Sequence, residues 1–344
     1  MSKPQAKDSY RVYCGIDVAK KTSVVAALPT TDKIIEPFDI SNDDKGIKRV
    51  RRTLERNGIQ PADILVVLEP TGTYYLPVAT GLYRAGYDVV VINSLTARRH
   101  IQAMLEQNKT DKIDAMRLAE IGGFGRGQLT LWQEPPEIYE QLRQRLRLRD
   151  ALVDMRAKQR TRYHAAQGRE SLADVDAQRK EVIAYIDDKA KSLEKEMGKL
   201  LLAHPEWGDN ARYLNSIKGF GVYTVTALMV YTINFTMMDS ADQLASFVGV
   251  VPRKYESGQT SYARIGFSSV PHLRRNLYMC TFSAVRYNPI IRDYYNGMIN
   301  RGKGRQKTRI ACMRKLLSIA WGCVHNQTMF DPEFHQKRKS MDGD

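Results

Sequence analysis

The chain has 344 residues, of which 43% are hydrophobic, so it is long and apolar enough for two or three domains and is not wholly disordered. Lysine and arginine outnumber aspartate and glutamate by 53 to 38, and the resulting formal charge of +15 is typical of nucleic-acid-binding proteins. No apolar run reaches the length of a transmembrane helix and no signal peptide opens the chain, so we expect a cytoplasmic protein without a membrane partner. The four scattered cysteines predict neither disulfides nor a zinc site.

The first third of the chain alternates between strand and helix patterns. Three short strands predict an antiparallel meander, and two later apolar runs are typical of strands buried on both faces of a parallel sheet. Helical spacing, capping residues and glycine stops predict the helices around them. The order matches a ribonuclease H-like arrangement, in which the first and fourth strands are neighbours. The predicted strands cover 10–16, 22–28, 34–40, 64–68 and 88–92, and the predicted helices begin at Asp43, near Pro77, and at 96 and 112.

Four carboxylates in this region form a candidate metal site. Asp17 and Glu69 each lie at the C-terminal end of a predicted strand, whereas Asp111 and Asp114 open the last predicted helix and share one of its faces. Neighbouring strand ends would bring the first two opposite the second two, and oxygen donors of this kind suit Mg²⁺ or Mn²⁺ and phosphoryl transfer. The plainer alternative is a solvated helix start beside two turns.

The middle of the chain is helical and strongly basic. Arginines recur through 138–166, and apolar residues through 178–204 keep a heptad seam that runs from Val182 to Leu200. Two such helices predict an antiparallel coiled-coil hairpin with a narrow apolar stripe, which we expect to pair with another protomer. The arginines either form a solvated face or contact RNA phosphates.

The last third combines a candidate phosphate-binding turn with basic and aromatic residues. Segment 217–227 resembles a helix-hairpin-helix turn, although a plain turn between core helices explains it as well. Ser257 falls on a glycine-flanked loop near Arg253 and Lys254, where most serines are ordinary loop residues. Further along, arginines interleaved with tyrosines suit backbone tracking and base stacking, or structural packing. His272 is expected to be a polar loop residue rather than a general base.

Three ordered motifs carry a resemblance to a known family. They are Gly-Ile-Asp-Val-Ala-Lys at 15–20, Glu-Pro-Thr-Gly-Thr-Tyr at 69–74 and Asn-Lys-Thr-Asp-Lys-Ile-Asp-Ala at 108–115. Together they closely resemble the RuvC-like DEDD recombinases (transposases) of those bacterial insertion sequences that use a bridge RNA to choose their DNA sites. The resemblance extends over nearly the whole chain and implies that the basic helices support dimer formation and bridge-RNA binding.

The resemblance also implies a nucleophile. The family carries Pro-Arg-x-Tyr-x-Ser-Gly where this chain has Pro252, Arg253, Tyr255, Ser257 and Gly258, and its serine bonds covalently to a DNA end. In the family the acids and the serine form a composite site contributed by different protomers. If Ser257 is not the nucleophile, Ser261, Ser268 and Ser269 are the next candidates. Relatives usually carry Lys-x-Gly after this loop, and its absence at 268–272 puts local DNA contacts in doubt.

The sequence therefore predicts an α/β plus α protein with an RNase H-like domain at 1–130, a coiled-coil hairpin at 131–208 and a mainly α transposase domain at 209–344. Its expected function is RNA-guided DNA recombination through a 5′-phosphoserine intermediate, with a guide RNA, target and donor duplex DNA, and a homodimer assembling to a tetramer as partners. It would act at the bacterial nucleoid. The alternatives are a hydrolytic RuvC-like nuclease, such as a Holliday-junction resolvase, and a non-catalytic basic scaffold. The residues expected to contact nucleic acid are Lys109, Arg143, Arg147, Arg160, Lys218, Gly219, Gly221, Arg253, Lys254, Arg274, Arg275 and Arg305.

Overall fold

The computed structural model describes residues 4–30, 34–69, 74–92, 110–125, 127, 129–166, 173–257, 260–265 and 270–333. For residues 166, 173, 253–257 and 260–265 it describes the backbone only. The chain divides into two compact units, Met1–Pro135 and Pro136–Asp344. The finer division into three domains stays a prediction.

Unit one is built on a mixed five-stranded sheet. Its strands are β1 (Val12–Val18), β2 (Thr22–Pro29), β3 (Ile35–Ser41), β4 (Ile64–Leu68) and β5 (Asp88–Val91), arranged in the order β3-β2-β1-β4-β5. The first three strands pair antiparallel, and β4 pairs parallel with both β1 and β5. The predicted meander and the predicted adjacency of the first and fourth strands are thus confirmed.

One face of this sheet is covered by α1 (Asp44–Arg56) and α2 (Tyr75–Arg84). The even-numbered residues of β1 and β4 point toward these helices and join Val50, Leu54 and Leu82 in one buried core. The helix predicted to begin at about Asp43 is confirmed, and Asp43 is its N-cap, because its side chain accepts hydrogen bonds from the backbone N–H groups of Lys45 and Gly46. A single 3-10 turn, Pro61–Asp63, leads into β4. The helix predicted at 96–105 lies outside the described residues.

The opposite face of the sheet carries α3 (Asp111–Phe124). The odd-numbered residues of β1 and β4 point this way, so Tyr13, Leu65 and Val67 pack with Leu118 and Ala119. The sheet is therefore buried on both sides, which is why its parallel strands are nearly continuous apolar runs in the sequence.

Unit two begins with two long antiparallel helices, α4 (Glu137–Ala166) and α5 (Ala173–Ala203). The predicted seam is confirmed in part: Ile186 and Met197 are buried, whereas Val182 is 46% exposed and Leu201, not Leu200, occupies the buried position near the end. Ion pairs join the helices, including Arg149 with Glu194 at 2.8 Å and Arg156 with Asp187.

The remainder of unit two is mainly helical with one β-hairpin. Trp207, Leu228, Leu273 and Leu316 lie in its buried core. No helix among the described residues is long and apolar enough to cross a membrane. The observed α/β plus α composition confirms the predicted fold class at that level. The elements are α6 (Pro205–Asn215), α7 (Val222–Tyr231), α8 (Ala241–Val248), β6 (Pro252–Ser257), β7 (Thr260–Ile265), α9 (Pro271–Tyr287), α10 (Pro289–Asn300) and α11 (Arg305–His325).

Candidate active site and nucleic-acid interface

Two of the predicted acids lie side by side at one edge of the sheet. Asp17 is the last residue but one of β1 and Glu69 directly follows β4, and both are half-buried. The parallel register pairs Gly15 with Val67 and Ile16 with Leu68. Asp17 and Glu69 are therefore the next pair of opposed residues, on strands that lie about 4.8 Å apart. Side chains alternate along a strand, and both acids therefore point to the face that carries α3.

The direction of α3 brings its first turn to the same edge. A Cβ placed on Gly122 would lie 3.2 Å from the Tyr13 ring, and one placed on Gly15 would lie 1.9 Å from the carbonyl oxygen of Ala115. The helix thus runs antiparallel to β1, with its C-terminal half over Tyr13 and its N-terminal half over Gly15. Asp111, in the first turn, therefore lies at the end of β1 that carries Asp17.

The first turn of α3 is a favourable place for carboxylates. Thr110 caps the helix by accepting a hydrogen bond from the Ile113 N–H at 3.3 Å, and the unpaired N–H groups of a helix start stabilise negative charge. Asp111 is exposed, and the Asp114 side chain is 20% exposed. Asp17, Glu69 and Asp114 are thus half-buried, whereas Asp111 faces solvent.

A buried arginine, which the sequence analysis missed, lies beside this group of acids. The Nη1 atom of Arg117 lies 3.6 Å from the Asp114 carboxylate, and the Arg117 side chain is only 6% exposed. Arg117 and Asp114 are three residues apart on a helix, a spacing that could have indicated the pair. Its guanidinium supplies positive charge to the acidic edge.

The acids lie toward the same edge of the sheet but do not form a closed metal-binding group. Among the residues that the structure describes, no three His, Cys, Asp or Glu side chains are grouped so as to hold a metal ion. Strand register and helix direction thus place Asp17, Glu69, Asp111 and Asp114 toward the same end of β1 and β4, but not in a joint coordinating group. Metal binding by these acids stays a prediction.

Ser257 lies at the end of a β-strand, whereas the sequence predicts a glycine-flanked loop for it. It is the last residue of β6 and pairs with Thr260, the first residue of β7, across a two-residue connection. The sequence held a signal for this hairpin, because Gly258-Gln259 separates two segments rich in aromatic and small polar residues, and Gly-x is a favoured two-residue hairpin loop. Arg253 and Lys254 lie on the same strand, and Gly258 lies outside the described residues.

The helix-hairpin-helix candidate is a tight turn between α6 and α7. Gly219 has φ +112°, and a Cβ there would lie 2.7 Å from the Cβ of Ala284 on α9, so only glycine fits. Gly221 is the N-cap of α7 and is exposed, as is Lys218. The turn is thus packed against the core through Gly219 and presents Lys218 and Gly221 outward, which is compatible with phosphate contact.

The predicted RNA-contacting arginines differ in their surroundings. Arg143 is buried and forms a bidentate pair with Glu140 at 2.8 and 2.9 Å, so it does not present its guanidinium to a nucleic acid in this structure. Arg160 pairs with Asp187 at 3.2 Å while remaining half exposed, and Arg147 is exposed. Part of the basic run therefore holds the hairpin together. Lys109 lies outside the described residues.

The other predicted contacts lie on the C-terminal helices. Arg275 is 69% exposed on α9, Arg274 is half-buried there, and Arg305 is exposed at the start of α11. His272 is wrongly predicted as a loop residue: it lies in the first turn of α9, with Nε2 3.5 Å from the carboxylate of Asp154. Pro271 at the first helical position explains where this helix begins.

A second buried polar group, centred on Asp150, escaped the sequence analysis altogether. Asp150 is 6% exposed and accepts hydrogen bonds from the Tyr223 hydroxyl at 3.2 Å and from Arg149 at 3.3 Å, while the Arg149 guanidinium lies 3.9 Å from the centre of the Tyr223 ring. Burial raises the pKa of the Asp150 carboxyl, and burial followed by the Asp150 charge raises the pKa of Tyr223. The group joins α4, α5 and α7, because Arg149 also pairs with Glu194. Nothing in the local sequence distinguishes Asp150 from the exposed acids around it.

Comparison with known proteins finds transposase-family matches in two regions of the chain. A family model described as "Transposase", of the DEDD type, matches residues 14–166, and one described as "Transposase IS116/IS110/IS902 family" matches residues 211–296. The chain carries IS110-family transposase domains. Transposases are DNA-rearranging enzymes, and the two matched regions contain, respectively, the acidic edge and the hairpin with Ser257.

Curated relatives agree with this assignment. A "Pilin gene-inverting protein" from Moraxella bovis is 27% identical over 330 residues, covering 95% of this chain and 99% of the relative, and its counterpart from Moraxella lacunata matches to the same extent. A Streptomyces coelicolor protein named "Insertion element IS110 uncharacterized 43.6 kDa protein" is 26% identical over 152 residues, 43% of this chain and 36% of the relative. The likeness to the Moraxella proteins thus spans nearly the entire chain.

Proposed function

We propose that this IS110-family chain is an RNA-guided DNA recombinase that inserts and excises an insertion element through a covalent phosphoserine intermediate. The observation that carries the proposal is the placement of Asp17, Glu69 and the first turn of α3 at one edge of a sheet with the order β3-β2-β1-β4-β5. This order is the one expected of an RNase H-like domain, and the pilin gene-inverting relatives are named for a DNA rearrangement.

The donor set fits a hard divalent cation in its chemistry. Asp17, Glu69, Asp111 and Asp114 offer only carboxylate oxygens, which Mg²⁺ and Mn²⁺ prefer, and two of the four stand at the positive end of a helix that tolerates additional anionic groups. The chemistry that such an ion supplies is Lewis-acid polarisation of a phosphoryl oxygen. Arg117 holds Asp114 in place and limits the repulsion among the acids.

Ser257 is the proposed nucleophile. Its Oγ forms a bond to phosphorus while the bond from phosphorus to the 3′ oxygen of the neighbouring nucleotide breaks, and the serine proton leaves as the 3′ oxygen gains one. The product is a 5′-phosphoserine ester and a free 3′-hydroxyl, so the number of phosphoester bonds is unchanged. A new 3′-hydroxyl reverses the step on another strand, and no ATP is required.

The basic hairpin formed by α4 and α5 is the basis for two proposed partners, a second protomer and a guide RNA. We propose that α4 and α5 form a dimer interface, since Met155 and Val182 expose about half of their surface on this narrow hairpin and Tyr185 exposes 62%. The exposed Arg147 and the half-exposed Arg160 remain available for a guide RNA. In the proposed assembly the acids of one protomer meet Ser257 of another, and dimers join on donor and target DNA to form a tetramer.

A gel assay tests the reaction. Full-length protein is incubated with Mg²⁺, end-labelled duplex from the element boundary and the RNA transcribed beside the reading frame, and then resolved under denaturing conditions. We expect labelled DNA attached to the protein, lost on Ser257→Ala and retained on Ser261→Ala. Free cleaved DNA without an adduct would indicate the hydrolytic nuclease instead, and intact DNA would indicate a scaffold.

Mixing two inactive variants tests the composite site. If acids and serine come from different protomers, Asp17→Asn and Ser257→Ala proteins, each without adduct formation, should regain part of the activity when combined. Activity that stays absent in the mixture would place both parts on one protomer.

Metal binding has its own readout. Electron paramagnetic resonance of Mn²⁺ should show bound ion for wild type and for Asp39→Asn, which removes an exposed carboxylate on β3, but not for Asp17→Asn combined with Glu69→Gln. Equal Mn²⁺ binding by all three proteins would remove the acidic edge from the proposal.

A further inference from the structure

A cavity of about 420 Å³ in unit two is not part of the acidic edge or the serine hairpin. It opens between α9 and α11, and its floor is apolar: Val250 and Met313 are buried there, and Ile310 is half-buried. The size and the apolar floor are typical of sites that enclose a small ligand or a single residue of a polymer, for which about 300–1,000 Å³ is usual.

The rim of this cavity is polar and cationic. Arg274, Arg275, Tyr278 and Gln306 line it, and no acidic side chain is among the described residues that do. Arg274 donates to the carbonyl oxygen of Gly249 at 3.5 Å, which holds its guanidinium at the mouth. Arg275 is largely exposed, although it faces Asp154 at 3.6 Å. The cavity therefore favours a ligand with a planar or apolar part and a negative charge at its outer end.

Tyr278 is fixed in a position suited to stacking. Its ring meets the ring of Phe282 edge to face, with centroids 5.7 Å apart, and Phe282 in turn lies 3.5 Å from the Arg309 guanidinium. Tyr278 is half-buried and lines the cavity, so part of its ring is accessible to a flat ligand there. Gln306 is exposed at the opposite rim and offers both amide donors and an amide acceptor.

The cavity lies at the base of the serine hairpin. Val250, in its floor, precedes the first residue of β6 by two positions, and Arg274 and Arg275 lie in the first turns of the helix that follows β7. On the proposed function this hairpin handles a DNA strand, so the polymer nearest to the cavity is DNA.

We propose that the cavity receives one unstacked nucleotide of the DNA strand held by the hairpin. The base lies against Tyr278 and the apolar floor, the Gln306 amide reaches its hydrogen-bonding edge, and Arg275 pairs with its phosphate. This inference rests on the proposed function only for the choice of DNA over RNA. Its physical basis, an aromatic face above an apolar floor with cations at the mouth, is independent of the reaction.

Binding to single strands tests the cavity directly. Fluorescence anisotropy would be measured for the full chain with labelled oligothymidine, oligouridine and a blunt duplex of equal length. Tyr278→Ala should weaken oligothymidine binding roughly five- to hundredfold, the range expected for loss of one base stack, with little change on the duplex. Tyr278→Phe should retain binding. Tyr287→Ala is the matched control, because Tyr287 is 58% exposed on the same helix and does not line the cavity.

A second variant guards against a folding artefact. Ile310→Trp fills the cavity while leaving Tyr278 in place, and it should weaken oligothymidine binding as Tyr278→Ala does. Equal effects of Tyr278→Ala and Tyr287→Ala, or an equal loss on duplex and single strand, would overturn the proposal. A loss on oligouridine alone would overturn the assignment to DNA.

Photo-crosslinking locates the base. Oligothymidine carrying one 5-iodo-deoxyuridine, irradiated on the full chain and digested with trypsin, should attach to Tyr278 within the peptide 276–286, whereas Tyr287 falls in the next peptide. Attachment elsewhere would refute the site. These assays need neither guide RNA nor strand cleavage, so a failed cavity and a failed serine reaction are distinguishable.

Discussion

The contact between Gly15 and α3 should determine the stability of unit one, and Gly15→Ala tests it. A Cβ at this position would lie 1.9 Å from the carbonyl oxygen of Ala115 and 2.4 Å from the backbone nitrogen of Ala119. Both are backbone atoms of a helix, so no side-chain rotation relieves the overlap. To restore an ordinary contact, α3 must separate from β1 by roughly 1 Å or more.

The expected cost follows from that separation. Overpacking a core by one methyl group typically destabilises by about 1–3 kcal/mol, and a clash against rigid backbone belongs at the upper end. For a unit of this size, about 2–3 kcal/mol corresponds to a fall in melting temperature of roughly 6–15 °C. The same displacement would move Asp111 and Asp114 away from Asp17, so adduct formation should fall further than the loss of folded protein explains.

The measurement combines calorimetry with hydrogen exchange. Scanning calorimetry of the full chain gives the midpoint, and exchange followed by mass spectrometry shows whether protection is lost in peptides from β1 and α3. Gly123→Ala is the matched control, since a Cβ there meets only Tyr13 ring atoms at 3.7 Å and beyond, an ordinary contact. Gly123→Ala should leave the melting midpoint unchanged or raise it slightly, because alanine has a higher helix propensity than glycine.

One result would refute this reasoning. Suppose that Gly15→Ala has the same melting midpoint as the wild-type protein and that its β1 amides keep their protection from exchange. In that case α3 does not lie against β1 as closely as described. The first turn of α3 would then not be held at the end of β1 that carries Asp17.

Two further outcomes concern unit two. Burial raises the pKa of the Asp150 carboxyl, so the folded chain holds this proton more tightly than the unfolded chain and wild-type stability falls as pH rises through the ordinary carboxyl range. Asp150→Asn cannot ionise and should gain stability relative to wild type in urea titrations as the pH rises above the ordinary carboxyl pKa of about 4. Parallel pH curves would contradict a buried acid. Gly219→Ala should lower the melting midpoint by several degrees, since alanine there has strained φ and meets Ala284, whereas Gly221→Ala, with no atom within 4 Å of its new Cβ, should have a much smaller effect. Equal midpoints for the two variants would show that Gly219 is not packed as described.

Much of the architecture of unit one is determined by local patterns. The apolar run 64–68 coincides with β4 residue for residue, and Asp43 caps α1. The order of strands and helices predicted the pairing of β1 with β4. These features follow from periodicity and capping, which depend on neighbours in the chain. The β6–β7 hairpin is equally local, but Gly258 suits an ordinary loop as well as a hairpin turn, and the sequence therefore predicts a loop there.

Which charged side chains are buried or ion-paired could be decided only from the tertiary structure. Arg143 is buried against Glu140, Arg117 faces Asp114, and Asp150 is enclosed by Tyr223 and Arg149, yet each resembles its exposed neighbours in sequence. Burial and ion pairing depend on which helix packs over a residue, and that partner is distant in the chain. In the described part of unit one, sequence alone therefore determined where the strands and helices form and which acids lie at their ends. Only the packing of α3 over Gly15 decided that these acids share an edge, because a direction of approach is a property of two surfaces and not of one segment.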